Sequence, residues 1–284
     1  FHDPLTQLPN RRHFLDLLRS AIESAAPRLQ IVAVYFLDLD NFKNVNDGTG
    51  HEFGDRLLIA CADRLREAIV GQGIAARFGG DEFTVVASGL ADEAGAQQFG
   101  EKLVAAFQRP VIVDQREVLI SVSVGAALYP QHHDSPEALL RAADTALYRA
   151  KQQGRNRFSP YTPELLAAAS VRFATEQQLR KAVEAGELEL VYQPEIRSDG
   201  FEVRLVEALV RWRQADGTVV MPDMFLPVAE ESGLIMEISD WVFRTAMADC
   251  ARWRAGGWRN ACVAVNVSSR QLFDHRFAAR VLEM

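Results

Sequence analysis

Cysteine is scarce in this chain, and the little there is has no ligand spacing. Cys61, Cys250 and Cys262 are the only three among 284 residues, and their separations match no zinc or iron–sulfur set. A disulfide scaffold is excluded, and three reduced thiols packed as small hydrophobes in a cytosolic setting are expected. Long apolar runs are missing too: no stretch approaches the roughly 20 residues that span a bilayer, and no signal peptide is visible. Basic charge is also short. With 31 Lys and Arg against 38 Asp and Glu, the net charge is −7. The deficit is even, 17 basic against 20 acidic residues over 1–160 and 14 against 18 over 161–284, so no basic patch dominates and duplex nucleic acid is not an expected partner. The chain opens on Phe1 rather than Met, and we read it as a segment of a longer protein whose upstream part could hold a sensor or a membrane anchor.

What is present is ample core material. A hydrophobic content of 48% over this length suits one or two domains. Helical patterning covers about 10–24, 52–70, 91–108 and 136–153. The last opens with Ser135 as N-cap and Pro136 at the first position, and closes before Gly154. Strands are predicted at 31–38, 74–78, 83–87, 111–113 and 117–128. A boundary is expected at Phe158–Pro163, where two prolines and a serine interrupt the periodicity. Beyond it, a helix is predicted at 164–185, a strand at 187–196, a turn at Asp199-Gly200 and a second strand at 203–213.

Two acidic constellations stand out in the first half. Arg77-Phe78-Gly79-Gly80-Asp81-Glu82-Phe83 reads as a tight hairpin, with glycines at its centre and two carboxylates directly after them. Such a turn is either a solvated tip or an open acidic site for a nucleotide held through metal ions. Ile31–Leu37 is an unbroken apolar run, as in a strand buried on both faces, and it ends in Asp38-Leu39-Asp40. Strand periodicity puts Asp38 and Asp40 on one face. Asp38 beside a dry strand needs a partner or a metal, whereas Asp40 is equally suited to capping the next turn with Asn41.

The order of these blocks resembles the GGDEF family of bacterial diguanylate cyclases. Asp3-Pro4-Leu5-Thr6-Gln7-Leu8-Pro9-Asn10-Arg11-Arg12 is similar to the family's opening segment, with Gln7 where glycine is commoner. Asp38–Asp47, Gly50-His51-Glu52-Phe53-Gly54-Asp55, the Gly-Gly hairpin and Lys151-Gln152-Gln153-Gly154-Arg155-Asn156 follow in the family's order. The resemblance implies a palm-like α/β domain over residues 1–160, its sheet covered by helices. It implies metal ligation by Asp38, the Leu39 carbonyl, Asp81 and Glu82, with Asp81 and Glu82 as the catalytic carboxylates. Asn46 and Asp55 would bond guanine, Lys43, Lys151 and Arg155 would lie along the triphosphate, and Gly79 and Gly80 would admit the substrate. Mg²⁺, or Mn²⁺ in its place, is the implied cofactor, and a homodimer with one GTP per protomer the implied working form. Many family members carry an Arg-x-x-Asp product-inhibition pair before the hairpin; here those positions are Val70 and Gly73.

The second half carries a weaker pattern. Glu207-Ala208-Leu209 means nothing alone. With Tyr192-Gln193-Pro194, Arg211-Trp212, Phe225–Glu230 and Asn266-Val267-Ser268 it resembles the opening of an EAL domain, the cyclic di-GMP phosphodiesterases built on a TIM-like barrel. We expect residues 161–174 to link the domains and 175–284 to form a partial barrel, truncated at its C-terminal side. Gln193, Glu207, Arg211 and Asn266 would be part of its site. A complete barrel takes roughly 250 residues, so hydrolysis is implied for a longer parent and unsupported for these residues. Two readings of function follow from the resemblance. One is a diguanylate cyclase condensing two GTP into cyclic di-GMP in a tandem GGDEF–EAL protein. The other is a GTP-binding module that regulates an attached phosphodiesterase.

Overall fold

The computed structural model describes residues 1–28, 30–196, 203–272 and 276–283, so the turn expected at Asp199-Gly200 lies outside the described residues. The chain divides into two compact units, Phe1–Ala169 and Ser170–Met284. In the first, the order is α1 (Arg11–Ala25), β1 (Ile31–Leu39), α2 (Phe42–Thr49), α3 (His51–Ala68), β2 (Gly73–Gly79), β3 (Glu82–Leu90), α4 (Glu93–Ala106), β4 (Val111–Val113), β5 (Arg116–Val118), β6 (Val122–Tyr129), α5 (Pro136–Gln152) and β7 (Phe158–Pro160). Helix α6 (Pro163–Ala185) continues into the second unit.

β1 is the centre of a five-stranded sheet ordered β2-β3-β1-β6-β7. It pairs antiparallel with β3 and β6, and β7 adds to β6 in parallel. Its residues explain the position. Val32, Val34 and Phe36 face a cluster with Phe14, Leu18, Leu139 and Leu147 from α1 and α5. Ala33, Tyr35, Leu37 and Leu39 face the opposite cluster with Leu57, Leu65, Phe99 and Leu103 from α3 and α4. A strand apolar on both faces is stable only with helices on both sides.

Three details depart from the pattern reading. The strand expected at 117–128 is two: β5 pairs with β4, and β6 enters the main sheet after residues 119–121. Alternation is continuous through the break, so periodicity could not reveal it. Leu119 is exposed, however, while Ile120 is buried. Residues 158–160, expected to be irregular, form β7, because Pro160 sits where no ladder N–H is required at the sheet edge. Residues 42–49 form α2, although their asparagines and glycine gave no helical signal.

The second unit holds β8 (Leu188–Ile196), β9 (Val203–Arg213), β10 (Val219–Val220), α7 (Pro222–Ser232), α8 (Ile235–Ala255), β11 (Val263–Val265) and short helices at Ser269–Leu272 and Phe277–Glu283. β9 pairs antiparallel with β8 and β10 and parallel with β11. Among the described residues this sheet is open. Val206, Ala208 and Trp212 are buried, Trp212 edge-on to Phe225 with its indole N–H donating to Glu187.

All three cysteines are free thiols. Cys61 is buried, which pushes its thiol up to about 12, but Cys262 is exposed rather than packed. Among the described residues no helix is long and apolar enough to cross a membrane.

Candidate functional site

The hairpin between β2 and β3 is as tight as its sequence requires, with its apex one residue later than expected. Gly79 pairs with Glu82, so the turn residues are Gly80 and Asp81. Gly79 and Gly80 take φ of 157° and 54°. The Arg77 guanidinium fixes the tip: Nη2 and Nε donate to the Gly80 carbonyl at 2.7 and 3.1 Å, while Nη1 reaches Asp3 at 3.0 Å. Burial opposes ionisation of Asp3, but bonds from the Thr6 N–H, the Thr6 hydroxyl and Arg77 outweigh it and hold the carboxyl below its ordinary range. The opening segment thus braces the hairpin.

Register brings the acidic groups together. Asp38 on β1 lies directly opposite Glu82 on β3, so both project from one sheet face. The Leu39 N–H donates to the Asp81 carbonyl at 3.3 Å, drawing the hairpin apex against the end of β1. Lys151, in the last turn of α5, puts Nζ 2.6 Å from Asp38 Oδ2. Burial raises the Asp38 carboxyl above its ordinary value; Lys151 opposes that shift, and the charges of Asp81 and Asp40 add to it. Glu82 is likewise raised, by burial first and then by Asp144, Asp38 and Asp81. Asp144 is itself raised by desolvation, with Lys151 pulling the other way. Among the described residues, Asp38, Glu82 and Asp144 therefore share the one cation Lys151, an arrangement that favours binding a further positive charge.

Asp144 escaped the sequence reading. It stands seven residues before Lys151 on a helix, hence on the same face, between the apolar pairs Ala142-Ala143 and Ala146-Leu147, with Thr145 beside it. That lone carboxylate was the available signal.

Asp40 does not cap α2. Asn41 occupies that position in the left-handed region, with no side-chain cap bond. Asp40 is instead buried and accepts the hydroxyls of Ser121 and Ser123, each at 2.7 Å, and the Asn156 N–H at 3.0 Å. Gly154, Arg155 and Asn156 all take positive φ, at 111°, 61° and 48°, a strained run for two non-glycine residues. Asp40 anchors this run through the Asn156 N–H, next to Arg155. Replacing Asp40 by Ala leaves three donors without their acceptor. We expect a loss of about 3 kcal/mol in urea unfolding, with Asp40→Asn losing less; equal stability of Asp40→Ala and the parent would contradict this role.

Asn46 lies on α2 and Asp55 on α3, the two helices being joined at Gly50. The Asn46 Oδ1 atom is buried without a hydrogen-bond partner, and it fills the space where a side chain of Gly54 would stand. Asp55 and Lys43 are exposed and form no ion pair among the described residues, and Asp81 also has no side-chain hydrogen bond or ion pair among them.

The donors available for a metal are the Asp38, Asp81 and Glu82 carboxylates and the Leu39 carbonyl. They are hard oxygens, suited to Mg²⁺ or Mn²⁺. Among the described residues no three acidic, His or Cys side chains converge on one point as a closed cage. The donor set nevertheless fits a cation that takes one or two carboxylates and completes its shell from phosphate and water.

In the second unit three strands bring Gln193, Glu207 and Asn266 together. Gln193 lies opposite Glu207 across β8 and β9, Ala264 lies opposite Glu207 across β9 and β11, and Asn266 Nδ2 donates to Glu207 Oε1 at 2.7 Å. Arg211 shares the Glu207 face of β9, but its guanidinium turns back to the Val210 carbonyl at 2.8 Å.

A five-stranded palm-like sheet with helices on both faces and carboxylates at adjoining strand ends defines a class, and comparison gives the family. Residues 1–157 match the family described as diguanylate cyclase, GGDEF domain, and residues 176–284 match the EAL domain. The chain belongs to the GGDEF family and continues into an EAL domain. It is 40% identical over 274 residues to the bifunctional diguanylate cyclase/cyclic di-GMP phosphodiesterase MucR of Pseudomonas aeruginosa, covering 96% of this chain and 40% of MucR. It is 41% identical over 272 residues to the cyclic di-GMP phosphodiesterase PdeR of Escherichia coli, with the same coverage. The chain thus spans 40% of the length of each of these relatives. Among solved structures, the GGDEF domain of TpbB (YfiN) from Pseudomonas aeruginosa matches with a TM-score of 0.58 at 38% identity, covering 60% of this chain and 99% of that one. The GGDEF domain of DgcB from Caulobacter crescentus, solved in complex with c-di-GMP, matches with a TM-score of 0.51 at 30% identity over 56% of this chain and 94% of that one.

Proposed function

We propose that residues 1–157 bind GTP with a divalent cation and, as a homodimer, condense two GTP into cyclic di-GMP within a longer GGDEF–EAL protein. The observation that carries this reading is the register of Asp38 against Glu82, with the Asp81 carboxylate, unpaired among the described residues, at the adjoining turn. Two such displacements close the ring: in each, the 3′-hydroxyl of one GTP attacks the α-phosphorus of the other, a new P–O bond forms as the P–O bond to pyrophosphate breaks, and the hydroxyl proton passes to solvent, so that two pyrophosphates leave in all. A cation held by Asp38, Asp81, Glu82 and the Leu39 carbonyl would neutralise charge on the oxygens of that in-line displacement. Lys151, Arg155 and Lys43 would bear on the triphosphate, with Lys151 exchanging its Asp38 contact for a phosphate oxygen. Chromatography of the products after incubating the chain with GTP and Mg²⁺ tests the reading. Cyclic di-GMP is the expected product, and unchanged GTP would overturn it.

A second reading is favoured by the names of relatives: PdeR and NbdA, from Escherichia coli and Pseudomonas aeruginosa, are both named phosphodiesterases. In that case the first unit binds GTP and regulates hydrolysis by the EAL domain of the whole protein. GTP binding without product, coupled to faster hydrolysis in the longer protein, would select it.

Two predictions belong to the site under the first reading. Asp55→Ala should weaken GTP binding about tenfold to a hundredfold, since each unmet polar group on a base edge costs about 1–3 kcal/mol, and should erode the preference over ATP. Calorimetric titration with both nucleotides decides this, and unaltered affinity and preference would remove Asp55 from the site. With Val70 and Gly73 in place of an Arg-x-x-Asp pair, micromolar cyclic di-GMP should leave the initial rate nearly unchanged. Strong non-competitive inhibition would point to another inhibitory surface.

A further inference from the structure

Gly54 sits in the first turns of α3, an 18-residue helix. Glycine there runs against helix propensity, and Gly54 is not among the residues with positive φ. Backbone freedom is therefore not its use. Space is. A Cβ built on Gly54 would meet Asn46 Oδ1 at 1.8 Å, Asn46 Cγ at 3.0 Å and Phe42 Cζ at 3.2 Å. The Asn46 oxygen occupies the volume that any other residue would fill.

That oxygen is buried and has no hydrogen-bond donor, an arrangement that folded proteins avoid unless something is gained. The hydrogen that stands in place of Cβ on Gly54 points toward it, a weak C–H···O contact that favours oxygen over the amide nitrogen in that position. With Oδ1 turned inward, Nδ2 is the other end of the Asn46 amide and is not among the buried unpartnered atoms, while Asp55, next in sequence to Gly54, is exposed and forms no ion pair among the described residues. Guanine presents an acceptor at O6, and adenine presents a donor at the equivalent N6. A fixed N–H donor therefore accepts the first base and repels the second, while Asp55 takes the N1 and N2 donors that only guanine offers together.

We propose that Gly54 is a positioning residue for base selectivity: by lacking a side chain it holds the Asn46 amide with Nδ2 outward, as a donor for guanine O6. This inference rests on the guanine-binding reading of Asn46 and Asp55 above. It commits the recognised group to a six-oxo purine.

The test is a double-mutant cycle in the full chain, with calorimetric GTP and ATP affinities for the parent, Gly54→Ala, Asn46→Ala and the double variant. Gly54→Ala should remain folded, because alanine favours the helix and the new methyl meets the Asn46 amide and the tip of the Phe42 ring rather than backbone; thermal melting checks this. It should bind GTP at least tenfold more weakly and leave ATP binding unchanged. In the Asn46→Ala background the same change should have no further effect. An unchanged GTP-to-ATP ratio in Gly54→Ala, or an equal loss in the Asn46→Ala background, overturns the inference. If Asn46→Ala alone leaves GTP affinity intact, the guanine reading itself fails, and the inference with it. One further measurement does not depend on the variant folding. In the ¹⁵N-labelled parent, the Asn46 side-chain amide signal, identified by its loss in Asn46→Ala, should shift on adding GTP and stay in place on adding ATP. A signal unmoved by GTP overturns the inference.

Discussion

Asp81→Ala should lose cyclic di-GMP formation by roughly a thousandfold or more, the scale at which removing one preorganised charge-stabilising group acts, while its stability stays within about 0.5 kcal/mol of the parent. The separation of the two effects follows from where Asp81 sits. Its carboxylate forms no hydrogen bond or ion pair among the described residues, so nothing structural is lost with it. What Asp81 does for the fold it does through its backbone, accepting the Leu39 N–H at the turn, and alanine keeps that carbonyl. The Arg77 clamp grips Gly80 and is likewise untouched. Asp38 would give a less clean result, because its removal also frees Lys151. Product chromatography and thermal melting of the same preparation measure both quantities. Activity within a few-fold of the parent would take Asp81 out of the site.

Gly125→Ala should cost about 3 kcal/mol, a large part of the roughly 5–15 kcal/mol that holds a domain folded. The added methyl would lie 2.0 Å from the Leu147 nitrogen and 2.2 Å from the Ala143 carbonyl oxygen. These are main-chain atoms inside α5 and cannot rotate aside, so the helix must lift off β6. The same movement would carry Lys151 and Asp144 away from Asp38 and Glu82, so activity should fall with stability. Gly48→Ala is the control. It adds the same methyl to a helix, where the new atom meets nothing within 4 Å, and it should be neutral or slightly stabilising. Urea unfolding of both variants measures the contrast; a cost below about 1 kcal/mol for Gly125→Ala would mean that α5 and β6 yield more readily than their packing indicates.

The two glycines also show where sequence reading stops. Gly79-Gly80 was legible because a pair of glycines between two apolar runs has a local meaning, a turn, and local meaning is written in neighbouring residues. Gly125 and Gly54 have no local meaning at all. One stands in a buried strand and the other in a helix, and each is required by atoms more distant along the chain or across a helical hairpin. The same distinction separates the acidic residues. Asp38 announced itself by following a dry strand. Asp40 followed the same strand and suggested a cap, but its partners Ser121, Ser123 and Asn156 lie 81 to 116 residues away.

The sequence by itself determined the family resemblance, the helices of the first unit other than α2 and most of its strands, the hairpin and the candidate donors on β1 and β3, because periodicity and turn chemistry act over a few residues. Only the tertiary structure decided that Asp38 faces Glu82, that Lys151 reaches Asp38, that Asp144 joins the acidic group, and that Asp40 serves as an anchor. Those facts depend on strand register and on where one helix lies against a sheet. Register and packing are set by the sum of many contacts across the core, and no single stretch of the chain contains that sum.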